Sequence, residues 1–292
     1  MTILHDALGR SRRLAPRSVT LYRKGLDAFV AFAGRGPWNG AHVEAFRDAL
    51  AARGLRPASI NAYLAGVRYA SRRAADLGLG QDFARAAELQ RVEWGLRRVL
   101  SLAETKALVR ACEGSTPRDL RDRALVIVAL RTGLRRSELV RLGFSDLASA
   151  ALRVRRKGGR VETLPLDIEA RRALEAWLGW LRRRGVRGGF VFRSIPRWPS
   201  LEDGRWRVGP SLSADGFRRA LLNRARQAGL RGVHPHALRH TFVTLALASG
   251  QSLARVALLA SHRDPKTTLR YAHLLGLRDE ATDQAGALPP LT

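Results

Sequence analysis

Four short segments of this 292-residue chain carry side chains able to work on an anion. In Thr132-Gly-Leu-Arg135-Arg-Ser-Glu138-Leu139, a helix ends at Gly133 and another opens at once, with Arg135 and Glu138 at an i, i+3 spacing that shares a face. A guanidinium beside the free N–H groups of a helix start suits an oxyanion. In His236-Ala-Leu-Arg239-His240, the three polar residues fall at i, i+3 and i+4 and project from one side of a helix, well shaped to grip a phosphate. A metal reading that adds His234 lacks a cysteine or an acidic partner nearby. His262 precedes Tyr271 by nine residues, across a turn at Asp264-Pro265. Tyr22, Tyr63 and Tyr69 sit at core-like helical spacing, so Tyr271 is the plausible phenol nucleophile among four tyrosines. Lys157, at a Gly158-Gly159 turn, is one of only four lysines in a chain that prefers arginine. Lysine can release a proton near neutral pH when its surroundings lower its pKa, and arginine cannot. Taken singly, each feature has a plainer reading: a solvated arginine, a packed histidine, an exposed turn lysine.

The elements that must position these residues are mostly helices. Residues 16–33, about 41–53 and 57–77 read as amphipathic helices, with Leu26, Phe29, Ile60, Leu64 and Val67 inward. A basic connector, 91–100, leads to Ser101-Leu-Ala-Glu104, which has the form of a capping box. An apolar helix through Ala124–Leu130 follows, then a β-hairpin over 151–166, a helix at about 168–183 and a short strand at 189–192. The stretch 193–212 is irregular and long for a plain connection. Helices are predicted at about 213–228, 236–249, 252–260 and 265–275, and 278–292 reads as a short helix and a frayed tail. The fold class is therefore mainly α with a small β-sheet (α+β), organised as a helical domain over 1–92 and a mixed α/β domain over 93–292.

Composition points to the partner. Lys and Arg number 52 against 25 Asp and Glu, a formal charge of +27. Residues 1–98 carry 17 basic and 8 acidic side chains and the remainder 35 and 17, so both halves face the same polyanion, with nucleic acid the first candidate. A GC-rich genome would explain arginine over lysine but not the shortage of carboxylates. Cys112 is the only cysteine, which excludes an internal disulfide and a cysteine-based zinc site. The N-terminus has no apolar run of signal-peptide length, and Ala124–Leu130 is far short of the roughly 20 residues a membrane helix needs. A cytoplasmic, nucleoid-associated protein is expected.

Taken in order, TGLRRSEL, KGGR, HALRH and SHRDPKTTLRY resemble the signature of the tyrosine recombinase (phage integrase) family, in the style of Xer-like proteins and integrases. The resemblance covers most of 100–275 and extends loosely to the N-terminal helices, which look like the family's core-binding domain. It implies that Arg135 and Arg239 clamp a scissile phosphate and that Lys157 is the general acid for the departing 5′ oxygen. His236 and His262 would contact phosphoryl oxygens or shuttle protons, and Tyr271 would attack to form a 3′-phosphotyrosine link. Glu138 would support the site from behind, and His240 would be structural. Ser261 departs from the glycine that many relatives carry before the histidine. By the same resemblance the two domains form a C-shaped clamp on duplex DNA, with Arg97, Arg98, Arg160 and Arg205 as candidate DNA contacts.

Strand exchange would pass through a Holliday junction on a homotetramer at paired sites, the free protein being a monomer or dimer, with a second recombinase or accessory protein as a further partner. No metal, other cofactor or ATP is expected, nor any membrane. The alternatives are a type IB-like topoisomerase and a DNA-binding accessory protein that has lost activity.

Overall fold

The computed structural model describes residues 3–10, 14–92, 98–156, 159–261, 264, 266–274 and 287–292. The chain divides into two compact units, Met1–Gly95 and Leu96–Thr292.

The first unit is helical: α1 (Ile3–Gly9), α2 (Pro16–Ala33), α3 (Gly40–Ala52) and α4 (Pro57–Asp76). Proline at the first turn starts both α2 and α4, where its missing N–H costs no hydrogen bond. The inward positions expected from the periodicity, Leu26, Phe29, Ile60, Leu64 and Val67, are buried, and Val43, Phe46 and Leu50 of α3 complete their core. Helix α1, which the sequence reading leaves out, buries Leu4 and Leu8 against Leu26 and Ala70. Its short length gave too little periodicity to read.

The second unit runs through α5 (Leu102–Arg110), α6 (Pro117–Thr132), α7 (Arg136–Leu139), strands β1 (Leu147–Ala148), β2 (Ala151–Arg155) and β3 (Val161–Pro165), then α8 (Ile168–Arg182), α9 (Ala214–Gln227), α10 (Pro235–Ala248), α11 (Leu253–Leu259) and α12 (Lys266–Leu274). Ser101 caps α5 and Glu104 closes the box, as its spacing predicts. Helix α6 is buried from Ala124 to Thr132 and packs against α8, α9 and α10, so it is the unit's central rod. The sheet is antiparallel in the order β1-β2-β3, with Leu152 opposite Leu164 and Val154 opposite Glu162. Strand β1, two residues long, was not foreseen.

Two expectations need correction. Residues 189–192 form no strand: Phe190 makes a single bridge to Gly143, and the Val191 carbonyl accepts the Trp177 indole N–H at 3.0 Å, which occupies the acceptor a ladder would need. The described end of the chain is not frayed either. Leu291 is buried, its N–H donates to the Glu169 carboxylate at 3.0 Å, and Arg131 donates to the Pro289 carbonyl at 2.9 Å. The first part of that stretch, 278–286, lies outside the described residues. None of the described helices is long and apolar enough to cross a membrane.

Candidate active site

The site starts where α6 stops. Gly133 caps α6 with a φ of +60°, and a Cβ there would lie 2.3 Å from the Phe242 ring, so both conformation and space call for glycine. Two residues later Arg135 stands at the head of α7 in extended conformation. Glu138 reaches back to it: one carboxylate oxygen accepts the Arg135 backbone N–H at 2.9 Å and the other accepts its guanidinium at 2.9 Å. The predicted i, i+3 pair therefore exists, and it sets the arginine's direction.

Helix α10 supplies the second guanidinium. His234 is its N-cap, its ring nitrogen accepting the Ala237 N–H at 3.1 Å, a structural duty in place of the metal-ligand reading. Partial desolvation at this helix start lowers the His234 pKa from the ordinary histidine value. Among the described residues no group of three or more His, Cys, Asp or Glu is placed to hold a metal ion. Arg239, buried one turn on, donates to the Gly133 carbonyl at 2.7 Å and to the Ala260 carbonyl.

These contacts reveal an order that no single motif displays. Three consecutive carbonyls at the end of α11 each accept an arginine: Leu259 takes Arg156 at 3.0 Å, Ala260 takes Arg239, and Ser261 takes Arg135 at 2.9 Å. Carbonyls at a helix end are unpaired and carry the negative pole of the helix, so cations gather there. Ser261 itself adopts a φ of +49°, the left-handed region that favours glycine.

Helix α12 follows and carries Tyr271, which is buried and whose hydroxyl shares a hydrogen bond with Nδ1 of His240. The ring of His236, on the exposed side of α10, lies 6.4 Å from that of His240. His240 thus touches the phenol, a role the sequence reading gave to no residue. Its i, i+4 spacing from His236, on the face of Arg239, was the signal available.

The electrostatics favour an anion. Burial pushes the Arg239 pKa down to about 10, and the like charge of Arg135 adds to the fall. A guanidinium so lowered is still charged at neutral pH but short of counter-charge, a condition that a bound anion relieves. Glu138 compensates in part: burial works to raise its pKa, and the Arg135 N–H, the Arg135 guanidinium and Arg156 outweigh burial and hold it below the ordinary value. An open cleft of about 730 Å³ beside Arg135 is lined by exposed Arg141, Arg153 and Arg155.

The remaining expected residues fall as follows. Lys157, His262 and Arg97 lie outside the described residues. Arg160 is exposed, with Glu162 3.7 Å away, and Arg205 is exposed as well. Arg98 is braced inside its own unit, donating to Glu104 at 2.5 and 3.0 Å and to the Val99 carbonyl at 2.9 Å. Arg156 is a buried arginine that the sequence reading passed over.

A mainly helical chain that gathers arginines beside one buried tyrosine has the makings of a DNA strand-transfer enzyme, and comparison with known proteins gives the class. Residues 98–277 match the phage integrase family. The tyrosine recombinase XerC of Stutzerimonas stutzeri is 33% identical over 285 residues, covering 92% of this chain and 89% of its own length. The tyrosine recombinase XerD of Pseudomonas aeruginosa is 32% identical over 286 residues, covering 94% and 92%. In fold, the chain resembles the XerH site-specific recombinase bound to the palindromic difH substrate in a post-cleavage complex, with a TM-score of 0.71, 18% identity, and coverage of 93% of this chain and 80% of that one. The chain belongs to the phage integrase family. Within it, the chain is an enzyme of the tyrosine site-specific recombinase class.

Proposed function

We propose that this recombinase cleaves and rejoins duplex DNA through a covalent 3′-phosphotyrosyl link to Tyr271. The observation that carries the reading is the convergence of Arg135 and Arg239 on neighbouring carbonyls of one segment, 260 and 261, which leads directly to Tyr271. Each guanidinium has five N–H donors, and the contacts described use two from each. In this reading the remaining donors serve a phosphodiester, whose transition state gathers negative charge on its oxygens.

In this mechanism the Tyr271 oxygen attacks phosphorus, its proton passes to a neighbouring base, and the bond from phosphorus to the 5′ oxygen breaks. Lys157 gives the departing 5′ oxygen a proton. His240 holds the phenol in place, and His236 and His262 serve the phosphoryl oxygens. Attack by a 5′ hydroxyl from a partner strand reverses the chemistry and frees Tyr271, so bond energy is conserved and no ATP is consumed. Two successive exchanges pass through a Holliday junction on four protomers. Residues 1–92 act as the core-binding domain and residues 93–292 as the catalytic domain, and the charge of +27 gives a salt-sensitive grip on phosphates. Action on chromosomal or mobile DNA would place the enzyme in the cytoplasm, at the nucleoid. The XerH site-specific recombinase in its post-cleavage complex with the difH substrate supports a cleavage reaction of this kind.

The test is covalent trapping. Host-genome fragments, nicked so that the cut strand cannot religate, are incubated with wild type and Tyr271→Phe and resolved on denaturing gels. A protein–DNA adduct with wild type only is the expected result, and sequencing of it delivers the target site. Salt-sensitive binding with no adduct from either form would overturn the reading in favour of an accessory DNA-binding role.

A further inference from the structure

We infer that Arg156 is a positioning residue for Arg135, gripping from behind both the carboxylate and the chain segment that aim its guanidinium. The inference rests on the proposed role of Arg135 as a ligand of the scissile phosphate.

In β2 Leu152 and Val154 point inward while Arg153 and Arg155 are exposed, and the same alternation carried one step past the strand turns Arg156 into the interior. An apolar residue would fill that position without burying a charge. The Arg156 side chain is 3% exposed against 32% for Arg135, so it is shut off from a substrate that Arg135 can reach. It uses three different nitrogens on three different elements. Its Nε donates to Glu162 of β3 at 2.9 Å, one terminal nitrogen donates to Glu138 of α7 at 3.0 Å, and the other donates to the Leu259 carbonyl at the end of α11 at 3.0 Å. Only a planar fork spans three acceptors in this way; a lysine ammonium is a single point.

Two of those three acceptors lead to Arg135. The Arg135 guanidinium has one nitrogen on a Glu138 oxygen and another on the Ser261 carbonyl, each at 2.9 Å. Arg156 holds the other Glu138 oxygen, beside the Arg135 backbone N–H, so the carboxylate is pinned at both ends and cannot swing. Sharing also divides its charge between two guanidiniums and leaves Arg135 short of full neutralisation, as a phosphate ligand must be. On the second side, the Leu259 carbonyl that Arg156 holds is two residues before Ser261. The root of Arg156 is fixed as well, since its backbone N–H donates to the Arg160 carbonyl at 2.7 Å. Loss of the fork would free Glu138 to turn wholly onto Arg135 and would loosen the segment opposite, so both supports of the guanidinium would shift together.

The experiment uses a nicked duplex carrying the site recovered from the Tyr271-dependent adducts. It reads the single-turnover rate of adduct formation at saturating enzyme and, separately, the DNA affinity. A misplacement of about 1 Å can cost about 10²-fold in rate. Arg156→Lys and Arg156→Met should therefore slow adduct formation by about 10–100-fold, with affinity within about 3-fold of wild type. The same substitutions are then made in an Arg135→Ala background. Residues that act as a unit are not additive, so with Arg135 gone each substitution should cost less than about 3-fold more. Losses that multiply in full would show that Arg156 acts on the fold or on another group, and the inference fails. A wild-type rate in the Arg156 variants overturns it too. If Arg135→Ala itself cleaves at the wild-type rate, the phosphate-ligand reading fails, and the two failures are distinct. Where Arg135→Ala falls below detection, Arg135→Lys, which loses the fork that Glu138 and Ser261 hold, takes its place. Should Arg156→Met not fold, Arg156→Lys, which keeps the charge and loses the fork, decides alone.

Discussion

Exchanging Glu138 for glutamine should weaken the second unit by an amount its contacts allow to be worked out. The Glu138 side chain is only 6% exposed and receives three N–H groups: the Arg135 backbone at 2.9 Å, the Arg135 guanidinium at 2.9 Å and the Arg156 guanidinium at 3.0 Å. Removing one partner of a buried charge pair costs about 3–5 kcal/mol. The amide keeps one oxygen able to accept, so an expected loss of about 2–4 kcal/mol is reasonable. For a unit of this size each kcal/mol moves Tm by roughly 2–4 °C, giving a fall of about 5–15 °C. Tryptophan fluorescence follows this unit through Trp177, which is fully buried and stacks on Trp180 at 5.4 Å, while Trp38 follows the first unit.

The pH dependence sharpens this prediction. Burial acts to raise the Glu138 pKa, but the three N–H groups more than offset it, and the carboxyl lies below the ordinary 4.5. A lowered carboxyl contributes stability that is fully present above its unfolded value and is lost as pH falls through its folded one. The gap between wild type and Glu138→Gln should therefore be constant from pH 8 to about pH 5.5 and begin to close as pH falls through the unfolded value of 4.5. A gap that persists unchanged into acid, or one under about 1 kcal/mol at neutral pH, would refute the assignment of this carboxylate as the charge that holds Arg135 and Arg156.

Other consequences are simpler to check. Ser261→Gly relieves a side chain held at φ +49° and should stabilise by about 0.5–1 kcal/mol, read as a small rise in Tm. Gly133→Ala should cost about 2–4 kcal/mol in a denaturant melt, because the new methyl meets the Phe242 ring in a left-handed backbone; a neutral result would contradict the close approach. Burial pushes the Cys112 thiol up to about 12, so a thiol reagent at pH 8 should label it only on unfolding, and rapid labelling of the native protein would speak against that burial.

Much of this architecture was readable in one dimension because its causes are local. Proline at the starts of α2 and α4, the Ser101–Glu104 box and glycine after Thr132 each act within a few residues, and each stands where its spacing predicts. Arg135, Glu138 and Arg239 stood out for the same reason, as residue types at helical intervals, and Tyr271 as the one tyrosine outside the core-like spacing of the other three. Arg156 had a local signal too, in the alternation with Leu152 and Val154, but a charge after a strand reads as surface unless its distant partners are known. The burial of Leu291 had no local signal, because its acceptor, Glu169, lies 122 positions away.

The sequence by itself determined the helical content, the element boundaries near caps and glycines, the basic balance and the candidates for the site. Tertiary structure decided what each arginine is for. Arg135 and Ser261 are 126 positions apart, Arg239 and Gly133 are 106 apart, and Arg156 and Leu259 are 103 apart. A buried guanidinium is tolerable only where acceptors surround it, and here those acceptors come from segments that meet only when the chain is folded. So the same residue type becomes a buried donor to backbone carbonyls, a brace between elements or a solvated charge according to what the fold brings beside it.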